Sequence, residues 1–432
     1  MTNSWMNWAG DQACAPAEIA TPRTADEVAE LLARADSAGR TVRVAGAGHS
    51  FTDAVLTDGL LLRLSGLDRI QWVDRATGLV RVEAGATLNA LSTALHPMGL
   101  AFPNLGDIDV QTIAGATATG THGTGATLQN LSAALHSIEL TLADGSRVEL
   151  NEQSDPDGWR AARVSVGALG VVTAVTLQLV PSFVLEGVER PVPVAEVLAD
   201  LDEYVDGNEH FEFYMFAHSP LAMTKRNNRV PLPERPRGKA VDWFADILMS
   251  NYTFDALCRL SRARPRLIPW IHRGAAYAGS YRRQVDRSYR VFASPRLIRF
   301  TEMEYAIPRE HAVAAIERIK ELGRRFDSPM PTEVRFVAPD DAFLSPAGGR
   351  DTCYIAVHQY RGMPYEPYFR ACEEIFDTFE GRPHWGKRHF QTADTLRERY
   401  PHWDRFQEVR RRFDPKGRFA NPYVERVLGP LD

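Results

Sequence analysis

The stretch Arg43-Val44-Ala45-Gly46-Ala47-Gly48-His49-Ser50 decides how the rest of the chain is read. It leaves a short β-rich run and ends on a histidine carried by a glycine-built turn. Glycine has no Cβ to block a ligand and tolerates φ > 0, so backbone N–H groups here can turn inward around an anion. A histidine beside such a cradle is placed to touch, or bond to, whatever carries the phosphates. The turn is not of the nicotinamide Rossmann kind. That motif needs a third glycine, then a helix, then an acidic residue about 20 positions on. Phe51 stands where the third glycine is required.

Upstream, Thr24-x-x-Glu27 reads as a capping box, and Val28, Leu31, Leu32 and Ala35 form one apolar helical stripe that Gly39 ends. Thr41–Val44 is then a strand, and with Glu18-Ile-Ala20 the unit reads as βαβ. Downstream, strands are expected at Leu60–Leu64 and Leu79–Val82, with a helix from about Leu88 to His96. The stretch from Pro103 to Gly125 holds five glycines with threonines between them, at 106, 115, 120, 123 and 125. Such a run offers backbone donors and hydroxyls with almost no bulk, which suits a surface wrapped around a flat or phosphorylated ligand. A hairpin turned at Asp144-Gly145 joins Ile138–Leu142 to Val148–Leu150, and Gly167–Gly170 leads into a β-run from Val171 to Val180.

The texture changes near Pro181. Longer strands with polar alternation follow at Phe211–Phe216, Ile298–Tyr305, Val334–Val337 and Tyr354–His358. Helices are expected from Pro308, in a first-turn position, to Leu322, and from Tyr365 to Phe379. Strands with helices over one face make an α+β domain. Between them, Trp243–Tyr281 alternates apolar and basic residues. It reads either as helices packed on the second domain or as a surface for peripheral membrane contact. The division expected is 1–180, 181–380, and a segment 381–432 that returns to the first domain and closes the cleft.

Bulk properties exclude several classes. A chain of 432 residues with 44% hydrophobic content is too long for one comfortable core and suits two. With 50 basic against 55 acidic residues and no long basic run, nothing points to nucleic acid. Cys14, Cys258, Cys353 and Cys372 form no CxxC spacing, so no metal site is expected and the thiols read as those of a reduced cytoplasmic protein. The start lacks the basic and apolar regions of a signal peptide, and no run approaches the ~18 apolar residues of a spanning helix.

Four motifs in this order carry a resemblance: Gly46-Ala-Gly-His-Ser50, Ala114-Gly-Ala-Thr-Ala-Thr-Gly-Thr-His-Gly-Thr-Gly125, Glu333-Val-Arg335 and His384-Trp-Gly-Lys387. Together they resemble the aldonolactone oxidoreductases, members of the vanillyl-alcohol-oxidase-type flavoproteins, over essentially the whole chain. The resemblance implies an α+β fold of two domains, an FAD-binding domain and a substrate-binding cap. It implies that FAD is held by Ala45, Gly46, Ala47, Gly48, His49 and Ser50. Asp107, Thr112, Gly115, Ala116, Thr117, Gly120, Gly123 and Val171 would complete that site, with His122 in a structural part. His49 would be bonded to the 8α-methyl carbon of the ring.

The catalytic set implied is Glu333, Arg335, His358 and Lys387. Glu333 and Arg335 lie two apart on a strand and so face one side, where they can hold a polyhydroxy substrate. Taken alone, such a pair is also what a solvated sheet uses as a salt bridge. Lys387 would polarise or deprotonate the C2 hydroxyl if the cleft lowers its pKa, and His358 would be a second base or binder, or simply a core histidine. Gly106 falls where a small residue gates oxygen in this family. Asp107 stands where the related alditol oxidases carry a polyol-binding serine, which argues against xylitol or sorbitol. The reaction implied is FAD-dependent oxidation of an aldono-1,4-lactone (L-gulono-, L-galactono- or D-arabinono-), with an ascorbate-type product. Oxygen, or a cytochrome or quinone carrier, would be the acceptor. The rivals are an alditol oxidase on the same fold and a flavin redox or sensor subunit without turnover.

Overall fold

The computed structural model describes residues 4–235, 251–278 and 281–431. The apolar run Trp243–Met249 lies outside these residues. A short antiparallel pair, Trp5–Met6 with Ala13–Cys14, precedes β1 (Glu18–Ala20), α1 (Ala25–Ser37), β2 (Val42–Ala45) and β3 (Leu60–Arg63). Thr24 caps α1 by accepting the Glu27 N–H at 3.1 Å. Glu27 reaches back to the Arg23 N–H rather than to Thr24, so only half of the capping box closes. The three strands form a parallel sheet in the order β1-β3-β2. The βαβ unit is therefore opened: Leu60–Arg63 lies between the two strands that α1 connects.

Next come β4 (Ile70–Asp74), β5 (Leu79–Glu83), α2 (Leu88–Leu95), α3 (Ile113–Ala118), β6 (Leu135–Thr141), β7 (Arg147–Asn151), α4 (Pro156–Arg163) and β8 (Val171–Gln178). The strands among them form an antiparallel sheet, β7-β6-β8-β5-β4. Its core continues past Pro181 to Leu185, Val291 and Phe292, then to Phe343, Trp385, Tyr400, Phe406 and Tyr423. The C-terminal segment thus packs with the first third of the chain.

The second body is one eight-stranded sheet. It uses β9 (Val184–Pro193), β10 (His210–Met215), β11 (Leu221–Arg229), β12 (Arg282–Arg287), β13 (Phe300–Pro308), β14 (Thr332–Val337), β15 (Thr352–Tyr360) and β16 (Arg382–Pro383). The order is β12-β9-β11-β10-β14-β15-β13-β16, antiparallel throughout. β9, β11 and β12 are absent from the sequence reading because their mixed charges mask the period-2 pattern. Pro308 ends β13, and a 3₁₀ turn, Arg309–His311, precedes the helix, which begins at Ala312 and not in a turn opened by the proline.

Alternation gives this sheet two unlike faces. Phe211, Phe213, Met303, Tyr305, Val334, Phe336, Ile355 and Val357 point to one side, under α5 (Ala312–Gly323) and α6 (Glu366–Asp377). Tyr214, Glu302, Glu304, Glu333, Arg335 and His358 point to the other, the wall of a cavity, and Glu212 lies on the same face against Arg335. From the 243–281 stretch, the described part forms helices Phe254–Ala263 and Ile268–Ala278, which pack Cys258 and Ile268 against Ile298, Tyr360 and Met363.

Arg43 ties the glycine turn to the rest. Its buried guanidinium donates to the carbonyls of Ala54 (2.6 Å), Val166 (2.8 Å), Gly167 (3.1 Å) and Phe419 (2.6 Å). Burial lowers its pKa only to about 10, so it stays charged. Arg43→Met keeps the bulk and orphans four carbonyls. A loss of about 3–5 kcal/mol in unfolding free energy is expected from urea titration, and a change under 1 kcal/mol would contradict this role.

Candidate active site

A cavity of about 290 Å³ runs between the glycine turn and the polar face of the eight-stranded sheet. The turn forms one wall. Gly48 takes φ +74°, where only glycine is unstrained. At Gly46 the reason for glycine is different: a Cβ would lie 2.5 Å from Thr112 Oγ1, so the turn and the threonine-rich loop touch backbone to side chain. The N-terminal segment supports the turn from outside. The Trp8 backbone N–H donates to the Gly48 carbonyl at 2.8 Å, and its ring stacks on the His49 ring at 5.1 Å between centroids. Phe51 N–H and Ser50 Oγ both donate to the Gly386 carbonyl, at 2.8 and 3.1 Å, which brings the His384–Lys387 segment to the turn.

Ala45, Gly46, Ala47, Gly48, His49, Ser50, Asp107, Thr112, Gly115 and His122 all line the cavity. Ala116, Thr117, Gly120, Gly123 and Val171 do not. Helical period turns Ala116 and Thr117 inward, and Thr117 Oγ1 donates to the Ile113 carbonyl at 3.0 Å. Strand alternation places Gly170 and Val172 on the cavity and Val171 in the core. Gly120 faces Pro346, and Gly123 faces Asn104.

The opposite wall is built by register. Glu212 pairs with Arg335 and Tyr214 with Glu333 across β10 and β14. Glu302 pairs with His358 across β13 and β15. Arg335 is 7% exposed and sits in a buried ionic cage, not on a solvated sheet. Its guanidinium meets Glu212 Oε2 at 2.8 Å, Asp107 Oδ1 at 2.9 Å, and Glu333. Asp107 also accepts from Tyr214 Oη and Arg296, each at 2.7 Å, and Lys225 lies 2.7 Å from Glu212. Three carboxylates thus balance Arg335, Arg296 and Lys225. Burial works against the Asp107 charge, but Arg335, Lys225 and Arg296 outweigh it and hold the carboxyl far below its usual range. Asp107 is saturated with donors from this cage. Burial pushes Glu333 up to about 7, with Asp107 and Glu212 adding to burial against the pull of Arg335.

Lys387 departs from the expectation of a lowered pKa. Burial favours neutrality, but the Glu302 and Glu304 carboxylates raise its pKa, and its Nζ pairs with Glu302. It is an ammonium that can polarise, not a base. His358 follows the same logic, with burial opposed by Glu302 and Glu333, and its pKa is raised. Glu302, Glu304, Tyr214 and Arg296 are cavity residues that the sequence reading missed. Glu302-x-Glu304 carried a signal, since two acids two apart on an expected strand share a face. Arg296 carried none.

His122, Glu304 and His384 bring ligand-type atoms within 4.8 Å of one another. His384 Nδ1, however, accepts the Gly386 N–H at 3.0 Å, so its neutral ring holds hydrogen on Nε2 and offers no second lone pair to a metal. His122 Nδ1 bonds the Gly123 carbonyl at 2.9 Å and its Nε2 faces Glu304 at 3.3 Å, a hydrogen-bonded structural role.

Residues 16–151 match the family described as FAD binding domain, and residues 175–427 match the D-arabinono-1,4-lactone oxidase family. The chain is 50% identical to an L-gulono-1,4-lactone dehydrogenase of Mycobacterium tuberculosis, over 100% of both chains. It is 34% identical to the L-gulonolactone oxidase of Mus musculus, over 98% of each. Its fold matches that of a solvent-stable cholesterol oxidase with a TM-score of 0.82 at 19% identity, covering 99% of this chain and 98% of the other. Residues 16–151 therefore form an FAD-binding domain, and the residues that line the cavity from it fit that group. The wall at 45–48 is glycine and alanine, it opens on the cavity, and it carries a neutral imidazole: burial first, then Lys387, lowers His49 to about 4.

His384 is held neutral in the same way, at about 3 against an ordinary 6.5, by burial first and then by Lys387 and His122. The unfolded chain binds that proton more readily, so this contribution to stability is complete above pH 6.5 and is lost as pH falls below it. His384→Gln is expected to lose less Tm between pH 7 and pH 5 than the unsubstituted protein. Parallel Tm curves would contradict it.

Proposed function

We propose, for a chain that belongs to the D-arabinono-1,4-lactone oxidase family and has the vanillyl-alcohol-oxidase-type fold, that it oxidises the C2 hydroxyl of an aldono-1,4-lactone. Its substrate class is L-gulono-, L-galactono- or D-arabinono-1,4-lactone, and a 2-keto product of the first two enolises to ascorbate. The observation that carries this is the convergence on one cavity of Glu333, Arg335 and His358, from the sheet wall opposite the glycine turn, and of Lys387, which reaches Glu302 on that wall from the segment bonded to the turn. FAD, when bound there, supplies N5 of its ring as the hydride acceptor. Residues 1–180 hold it, residues 181–380 cap it, and the C-terminal segment closes the site.

Each side chain has a separate task. Arg335, locked by its three carboxylates, presents a fixed set of N–H donors to the hydroxyls of the sugar ring. Lys387 polarises the C2 oxygen as an ammonium. Glu333, in its carboxylate form, accepts the hydroxyl proton as the C2–H bond breaks, and its burial raises its affinity for that proton. His358 has its Nδ1 fixed on the Pro331 carbonyl at 2.9 Å and keeps Nε2 toward the carboxylates. His49, neutral at pH 7, has the nucleophilic nitrogen that a covalent bond to the 8α carbon requires.

Turnover also needs an electron acceptor, either oxygen or a cytochrome- or quinone-type carrier. The four cysteines are free thiols, which supports a reducing, cytoplasmic setting. Among the described residues no helix is long and apolar enough to cross a membrane. Exposed Leu260, Leu267 and Trp270, beside Arg259 and Arg266, form the surface through which peripheral contact with a membrane would be made.

Steady-state rates should favour L-gulono-1,4-lactone strongly over xylitol, and a preference for xylitol would reassign the protein as an alditol oxidase. A flavin that stays yellow on anaerobic mixing with lactone would leave only the sensor reading. Glu333→Gln is expected to lower kcat by about 10²–10⁴-fold with the cofactor still bound. Flavin should stay with acid-precipitated protein and be released from His49→Ala. Free flavin from the unsubstituted protein would remove the tether.

A further inference from the structure

We infer that Glu302 is the positioning residue of this site: facing His358 across two strands, it keeps a proton on His358 Nε2, so that Glu333 rests as a carboxylate. The inference rests on the proposed reading only in taking Glu333 as the group that receives the hydroxyl proton.

The geometry of one imidazole carries it. His358 Nδ1 lies 2.9 Å from the Pro331 carbonyl oxygen. A carbonyl only accepts, so Nδ1 bears hydrogen, and Nε2 is the one nitrogen whose protonation can change. Nε2 lies 3.5 Å from Glu302 Oε1 and 4.0 Å from Glu333 Oε2. A bare lone pair between two buried carboxylates would be repelled by both, so one proton is shared among the three groups. Glu302 is not its resting place, because its other oxygen, Oε2, already accepts from the Lys387 ammonium. Burial opposes the Glu302 charge, but Lys387 and His358 outweigh it and hold the carboxyl at about 2.

The proton is therefore divided between His358 and Glu333, and the fixed negative charge of Glu302 draws it to the ring. Every group around the three enters the balance. His358 meets Glu302, Glu333, the Pro331 carbonyl and the edge of Phe300, at 5.2 Å between centroids. Glu302 meets Lys387, His358 and Glu304. Glu333 meets Arg335, Asp107, Glu212, Tyr214, Arg296 and Lys387 besides His358. Of these, Glu302 acts on the base through the ring rather than by touching it.

In turnover the hydroxyl O–H bond breaks and its proton goes to Glu333, while the C2–H electron pair leaves as hydride to the oxidant of the proposed reaction. Glu302 takes part in neither bond change. Replacing it with glutamine removes the charge that favours the imidazolium. The ring then becomes neutral, the shared proton passes to Glu333, and the base is blocked at neutral pH.

The test uses Glu302→Gln in the cofactor-loaded protein. The acid limb of kcat/KM for L-gulono-1,4-lactone should move up by about one pH unit or more, with most of the rate recovered on its alkaline side. Glu302→Asp, which keeps the charge, should move the limb by less than half as much and covers the case in which the glutamine variant does not fold. A loss of rate at every pH with an unmoved limb would overturn the inference. A second readout needs no turnover: ¹⁵N-histidine NMR of the same protein at pH 7, with His358 assigned by its disappearance in His358→Gln. The expected result is an imidazolium signal in the unsubstituted protein and a neutral Nδ1–H ring in Glu302→Gln. A neutral His358 before substitution would overturn the inference. Because the NMR result stands even if no lactone is oxidised, failure of the proposed function and failure of the Glu302 role are told apart.

Discussion

A guanidinium held by three carboxylates is the constraint on which the rest of this structure depends. Arg335 comes from the eight-stranded sheet, Glu212 from a neighbouring strand, Asp107 from the loop that follows Pro103, and Glu333 from two residues before it. Burying one such charge without partners would cost several kcal/mol, so the pieces have to meet in one arrangement. The cage joins the first third of the chain to the second body at the wall of the cavity. Buried charge of this kind contributes little net stability, and its use is geometric: it leaves the arginine few positions to take.

The sheet that carries the cage works because alternation separates its two faces. One face buries phenylalanine, isoleucine and valine under two helices. The other collects acids, an arginine and a histidine and is closed by the glycine turn and the His384–Lys387 segment. Each strand supplies only one or two of these groups. The register between strands makes a site out of them, through the pairs Glu212 with Arg335, Tyr214 with Glu333 and Glu302 with His358. The same low-dielectric wall explains opposite pKa behaviour a few ångströms apart. Glu302 faces an ammonium and stays ionised, whereas burial, with Asp107 and Glu212 adding to it against Arg335, lifts Glu333 to about 7.

Much of the first half was legible because local signals there agree with one another. The Thr24 cap, the α1 stripe, the Asp144-Gly145 hairpin and the glycine turn all appear where short-range chemistry places them. The second half was less legible. Strands such as Arg282–Arg287 have polar side chains on both faces, and their partners lie far away in sequence. Within the site, residue types and parity were readable at Glu333 and Arg335. Protonation was not, since Lys387 could be read as a lowered base until its neighbour Glu302 was in view.

By itself the sequence determined the glycine turn with its histidine, the missing third glycine, the two-part texture and the pairs of residues that share a strand face. These depend on neighbours within a few positions, where sterics and period decide. Only the tertiary structure decided which faces meet, that Arg335 is caged rather than solvated, that Lys387 is an ammonium, and that Arg296 and Glu302 belong to the cavity. Those outcomes rest on long-range pairing and on burial, and the charge of a buried group is set by what surrounds it in space.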